Sequence, residues 1–142
     1  MAPTFNQVNV VVADMAATIA FYKLLGLPID AQPDAMHVPL RFPNGLLVEF
    51  DTVAFAKQWN TGFRGTTGGS TVLGFGVPSR DAVDAIYRTI VEAGYRGMQP
   101  PYDAFWGARY AIVEDPDGNG VGLMSPIEDA RRFWPPSTPP SL

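Results

Sequence analysis

At 142 residues, 46% hydrophobic and 17% charged, the chain has the length and apolar content of one folded domain, and these values argue against a disordered chain. A net charge of −4, with 10 basic residues and no Lys/Arg cluster, leaves nothing to neutralise a phosphate backbone and argues against nucleic acid as a partner. No cysteine is present, which excludes a disulfide framework and thiolate metal sites, and no apolar run approaches the roughly 20 residues that span a bilayer. A cytoplasmic chain without a leader or membrane segment is expected.

Residues 6–13 alternate as a strand does, with Val8, Val10 and Val12 on one face and Gln7, Asn9 and Val11 on the other. Asp14 then stands where a helix N-cap is wanted. Ile19, Phe21, Tyr22, Leu24 and Leu25 give a helical apolar face that Gly26 ends. A short segment follows at Leu27 to Asp30. Residues 36–42 alternate Met36, Val38, Leu40 and Phe42 against His37, Pro39 and Arg41. Pro43-Asn44-Gly45 turns the chain into the strand Leu46 to Asp51 as a hairpin. The order is β, α and three β.

The second half repeats this grammar: a strand at Thr71–Val77, a helix from Arg80 to Ala93 closed by Gly94, a short strand near Tyr95–Met98, and a hairpin turned by Asp115-Pro116-Asp117-Gly118-Asn119. The numbering offset is 65 from Val12 to Val77 and 73 from Gly45 to Gly118, so the second copy carries about eight extra residues. Part of them lie in Pro100-Pro-Tyr-Asp-Ala-Phe-Trp-Gly107. Between the halves, residues 52–70 form a connector with Trp59, Phe63 and Arg64. After 126, a short helix over Ile127–Phe133 is allowed, and Pro135, Pro136, Pro139 and Pro140 forbid more.

The two βαβββ units, Val12-Ala13-Asp14, Phe21-Tyr22 before Leu25-Gly26-Leu27, Trp106-Gly107, and the closing Asp-Pro-Asp-Gly-Asn turn resemble the vicinal oxygen chelate superfamily over about residues 5–125. That superfamily includes glyoxalase I, extradiol dioxygenases and the bleomycin-resistance binding proteins. The resemblance implies an α+β fold of two βαβββ units forming a curved mixed sheet around a cleft: a first unit at 5–51, a second at 71–125, and a Pro-rich tail. Members dimerise, so a homodimer is expected, with clefts formed either within one chain or by exchange between two.

Metal-binding members take their ligands from four inward corners, on the first and last strand of each unit. On this chain those corners are Gln7, Glu49, Val72 and Gly122. Valine and glycine carry no donor atom, so neither a metal nor another cofactor is expected there. Val72, Gly74, Gly76, Gly120 and Gly122 would leave the second half of the cleft floor bare, either for a ligand or to allow sheet curvature. Trp59, Phe63, Tyr102, Phe105 and Trp106 could wall it, or some of them could close the core.

Glu49, an acid within Leu47-Val48-Glu49-Phe50, should be paired, neutralised or functional. It could bind a ligand amine, act as a general base, or meet Arg41 or Arg109. Gln7 could orient a ligand carbonyl or bind Glu49. His37, the lone histidine, reads as an exposed or core-edge residue. The expected function is a metal-free, small-molecule-binding protein of the bleomycin-resistance-like branch. It would sequester a partly aromatic antibiotic or metabolite through Gln7, Glu49, Trp59, Phe63, Tyr102, Trp106 and Arg109. The alternative is a glyoxalase-type lyase or isomerase with Glu49 as general base and Gln7 as polariser, or with a metal held by noncanonical donors, and a third reading is a structural or regulatory subunit with an unused cleft.

Overall fold

The computed structural model describes residues 2–69 and 71–133, and its chain contacts divide into two compact units between Gly68 and Gly69. The fold is α+β, with one mixed sheet in each unit and three helices in all among the described residues. None of these helices is long and apolar enough to cross a membrane.

The first unit runs β1 (Gln7–Val12), α1 (Met15–Leu25), β2 (His37–Arg41), β3 (Leu47–Thr52) and α2 (Val53–Trp59). Asp14 caps α1 by accepting a hydrogen bond from the Ala17 amide at 3.1 Å, and Gly26 ends the helix in the left-handed region at φ 110°. Met15, Ile19, Phe21, Tyr22 and Leu25 are buried, whereas Leu24, expected on the apolar face, is 37% exposed. The sheet order is β1-β3-β2, with β1 parallel and β2 antiparallel to β3. Val12, Val38, Leu40, Val48 and Phe50 are buried on one sheet face, and Phe50 meets the Tyr22 ring at 4.7 Å. Each such side chain, fully buried, contributes about 1.5–3 kcal/mol.

The second unit runs β4 (Val72–Gly76), α3 (Arg80–Glu92), β5 (Gly97–Asp103), β6 (Arg109–Glu114), β7 (Gly120–Met124) and a 3-10 turn at Asp129–Arg131. Ser79 caps α3 through the Ala82 amide. The sheet order is β4-β7-β6-β5, and Val83, Ile90, Ala111, Val113, Val121 and Leu123 form its core. Asp115 fixes the β6–β7 turn by accepting hydrogen bonds from the Asp117 and Asn119 amides and from the Asn119 side chain.

The duplication is visible in the pairing: β1 runs parallel to β3 as β4 does to β7, with Gln7 opposite Leu47 and Val72 opposite Gly120. The copies differ in one strand. The first unit has no counterpart of β5, residues 27–36 forming no strand. Glu49 therefore lies on the third strand, Val72 on the fourth and Gly122 on the seventh. β5 also runs longer than Tyr95–Met98, taking in Pro100, Pro101 and Tyr102. It tolerates the prolines as an edge strand with register shifts. The connector contains α2, and the four tail prolines lie outside the described residues.

Candidate functional site

In the first unit, the sheet face opposite α1 carries the polar residues. Asn9 stands opposite Glu49, and His37 opposite Asp51, so strand pairing places the four on one surface. Gln7 donates to Asn9 Oδ1 at 3.1 Å. The Asn9 amide in turn donates to Glu49 Oε2 at 2.8 Å and to Asp51 Oδ2 at 3.2 Å. His37 Nδ1 lies 2.5 Å from Asp51 Oδ1, and Asp51 is fully buried. Buried charge is tolerated only when paired and hydrogen-bonded, and His37 and Asn9 meet that need.

Helix α2 completes the surroundings of His37. The chain leaves β3 at Thr52, whose hydroxyl caps α2 by accepting from the Phe55 amide. This turn carries the Phe55 ring to 5.1 Å from the imidazole. One donor atom each from His37, Glu49 and Asp51 lies within 4.8 Å of the others. Among the described residues Glu49 makes no ion pair with Arg41, Arg109 is bound to Asp84 and Asp103 instead, and Gln7 reaches Glu49 only through Asn9.

In the second unit, the sheet face away from α3 carries Val72, Gly74 and Gly76 of β4, Gly120, Gly122 and Met124 of β7, and Tyr110 of β6. A methyl group on Gly74 or Gly76 would meet nothing within 4 Å, so those positions are open. Gly122 is covered: a Cβ there would fall 2.7 Å from the Tyr110 hydroxyl oxygen. The residue that fills this corner is Tyr110, which stands diagonally from Gly122 across the β6–β7 pair, the direct partner of Gly122 on β6 being Ile112.

Trp106 joins the same face, its Nε1 donating to Met124 Sδ at 3.3 Å, with its ring 5.3 Å from Tyr110, 6.4 Å from Tyr102 and 5.1 Å from Phe105. These edge-on contacts suit the ring quadrupoles. Burial pushes the Tyr110 and Tyr102 phenols up, Tyr102 also responding to Tyr110, and both stay protonated donors at neutral pH. The Tyr110 hydroxyl has no hydrogen-bond partner among the described residues.

Arg109 points to the other face. It binds Asp84 of α3 at 3.0 Å and Asp103 at 3.2 Å, and these partners raise its pKa against the opposing effect of burial. Trp59, at the end of α2, is 48% exposed, and Phe63 is half-buried in the turn that follows. The described contacts join neither to the polar cluster, so the expected set resolves into Gln7 and Glu49 in the first unit, Tyr102 and Trp106 in the second, and Trp59, Phe63 and Arg109 apart.

A metal at the four inward corners does not fit these residues. Val72 and Gly122 offer no donor, and the Tyr110 ring lies over Gly122.

The profile of the Glyoxalase/Bleomycin resistance protein/Dioxygenase superfamily matches residues 4–123, and the chain belongs to that superfamily. Among solved structures, a glyoxalase-related enzyme from Fulvimarina pelagi superposes with a TM-score of 0.74 at 20% identity, over 88% of this chain and 89% of that one. Lactoylglutathione lyase from Agrobacterium tumefaciens gives 0.65 at 16% identity, over 87% and 94%. The oxidase ChaP-H2 gives 0.64 at 25% identity, over 89% and 97%. No curated protein matches the chain. A fold shared by proteins named for lyase and oxidase activities does not choose a reaction.

Proposed function

We propose that the chain is a small-molecule-binding protein that takes up a partly aromatic compound, such as an antibiotic or metabolite, without a metal at the four corners. The observation that carries this reading is the aromatic group Tyr102, Trp106 and Tyr110 beside the open positions Gly74 and Gly76 on one sheet face. A planar guest laid there gains about 0.5–1.5 kcal/mol per ring contact beyond the area it buries, and the Tyr110 hydroxyl supplies a donor to orient it. In the first unit, Gln7 and Glu49 offer hydrogen-bonding groups that suit a ligand amine or carbonyl.

Thermal denaturation against a panel of planar aromatic compounds tests the reading. A ligand at one hundred times its Kd stabilises by about 2.7 kcal/mol. That stabilisation is expected to disappear in Trp106→Ala and in Gly74→Leu, which fills the open position. No shift with any compound, or a shift kept by both variants, would show the aromatic face to be unused.

A second reading is supported by Glu49 itself, whose Oε2 is held by Asn9 while Oε1 carries no hydrogen bond among the described residues. A carboxylate so oriented could act as general base in a lyase or isomerase reaction. Glu49→Gln would then abolish turnover while leaving ligand-induced stabilisation in place.

A further inference from the structure

We infer that His37, Glu49 and Asp51 form a divalent transition-metal site contained within the first unit. It goes beyond the ligand-binding reading above, shares only Glu49 with the corner positions, and takes no ligand from the second unit.

The donor set is one imidazole and two carboxylates, which is more than an acidic cluster. Imidazole suits zinc, iron, copper and nickel and gives little to calcium or magnesium, which prefer oxygen alone. All three residues stand on β2 and β3, whose pairing is locked by hydrogen bonds from His37 opposite Asp51 to Arg41 opposite Leu47. Sites on strands hold their geometry better than sites on loops. The donor atoms lie within 4.8 Å of one another. Tetrahedral zinc with bonds of about 2.0–2.2 Å places its ligand atoms roughly 3.3–3.6 Å apart, so side-chain movements of up to about an ångström close the three donors around the ion.

The charge favours the same conclusion. With a neutral imidazole, two carboxylates converge on a single amide nitrogen, that of Asn9, and one of them is fully buried. A dication would neutralise both where a neutral amide now only bridges them. Ligation through Nδ1 replaces the His37 to Asp51 hydrogen bond and leaves the ring proton on Nε2. Asn9, itself held by Gln7, then serves as the outer partner that orients Glu49.

Equilibrium dialysis of the full chain against Zn2+ and, separately, Mg2+, followed by elemental analysis, tests the site. One bound zinc per chain is expected, with little magnesium. His37→Ala and Glu49→Gln should each weaken zinc binding more than about 100-fold, since even an outer-shell partner is worth about 10- to 100-fold. Gln7→Ala, which touches no proposed ligand, should still bind one zinc. Absence of bound zinc in the parent chain overturns the proposal, as does its full retention by either folded variant. Loss in Gln7→Ala as large as in His37→Ala also overturns it, by pointing to the corners instead. If His37→Ala fails to fold, the isosteric Glu49→Gln decides. The Trp106-dependent thermal shift is untouched by failure of the zinc test, so the two readings fail separately.

Discussion

His37 Nδ1 approaches Asp51 Oδ1 to 2.5 Å across the β2–β3 pair, and the aspartate is fully buried while the imidazole is one-third exposed. Among the described residues, removing the imidazole leaves the Asp51 carboxylate with Asn9 as its side-chain partner. Hydrogen bonds to charged groups contribute about 1.5–3 kcal/mol, so His37→Ala should destabilise the metal-free chain by about that amount in a urea titration. His37→Asn, which keeps a donor, should recover part of it. No loss in His37→Ala would mean that the Asp51 to His37 contact does not hold the sheet face together.

Gly122 and Gly74 face each other across β7 and β4 and should respond oppositely to the same substitution. Gly122→Ala drives a methyl to 2.7 Å from the Tyr110 hydroxyl oxygen, and overpacking of this kind costs about 1–3 kcal/mol. Tyr110→Phe in the same chain should relieve only part of the cost, because ring carbons remain at 3.3 Å. Gly74→Ala meets nothing within 4 Å and should stay within about 0.5 kcal/mol of the parent. Equal effects at the two glycines would contradict the placement of the Tyr110 ring.

Much of the fold is legible in the sequence because local chemistry fixes it. Asp14 and Gly26 bound α1, and the repeat places Gln7 and Val72 at matching positions. The polar cluster was harder to read because it depends on pairing between strands. His37 looks peripheral by alternation alone. Counting seven residues each way from Asn44, however, at the centre of the β2–β3 turn, pairs His37 with Asp51. That turn geometry was the available signal. Helix α2 gave no such signal, its seven residues being too few to set an apolar period. The covering of Gly122 by Tyr110 is a side-chain packing event that no local pattern encodes.

The ion pairs beside α3 predict a pH response. The Arg80 guanidinium, 2.5 Å away, is the main cause holding the Asp103 carboxyl below its usual range, with Arg109 adding to it and burial opposing. The folded pKa is depressed, so this stabilisation is present above the ordinary carboxylate range and is lost as pH falls through the folded value. Asp103 is 62% exposed, which keeps the contribution small and sensitive to salt. Asp103→Asn should make stability less dependent on pH below about 4, most visibly at low ionic strength. Identical acid-unfolding curves for parent and variant at low salt would remove the pair from the account.

Thr18 presents the opposite case, a polar group that the fold leaves unsatisfied. It is 1% exposed on the buried side of α1, and its Oγ1 has no hydrogen-bond partner among the described residues. Burying an unpaired hydroxyl costs about 1–3 kcal/mol by mutational measures. Valine has the same branched shape and replaces the hydroxyl with a methyl group that its apolar neighbours can contact. Thr18→Val should therefore raise stability by about 1 kcal/mol, and Thr18→Ala should gain less because it leaves a void. Denaturant midpoints at constant m-value would measure both. A loss in Thr18→Val would reveal a hydrogen bond to ordered water at this position, and the hydroxyl would then be part of the core's support.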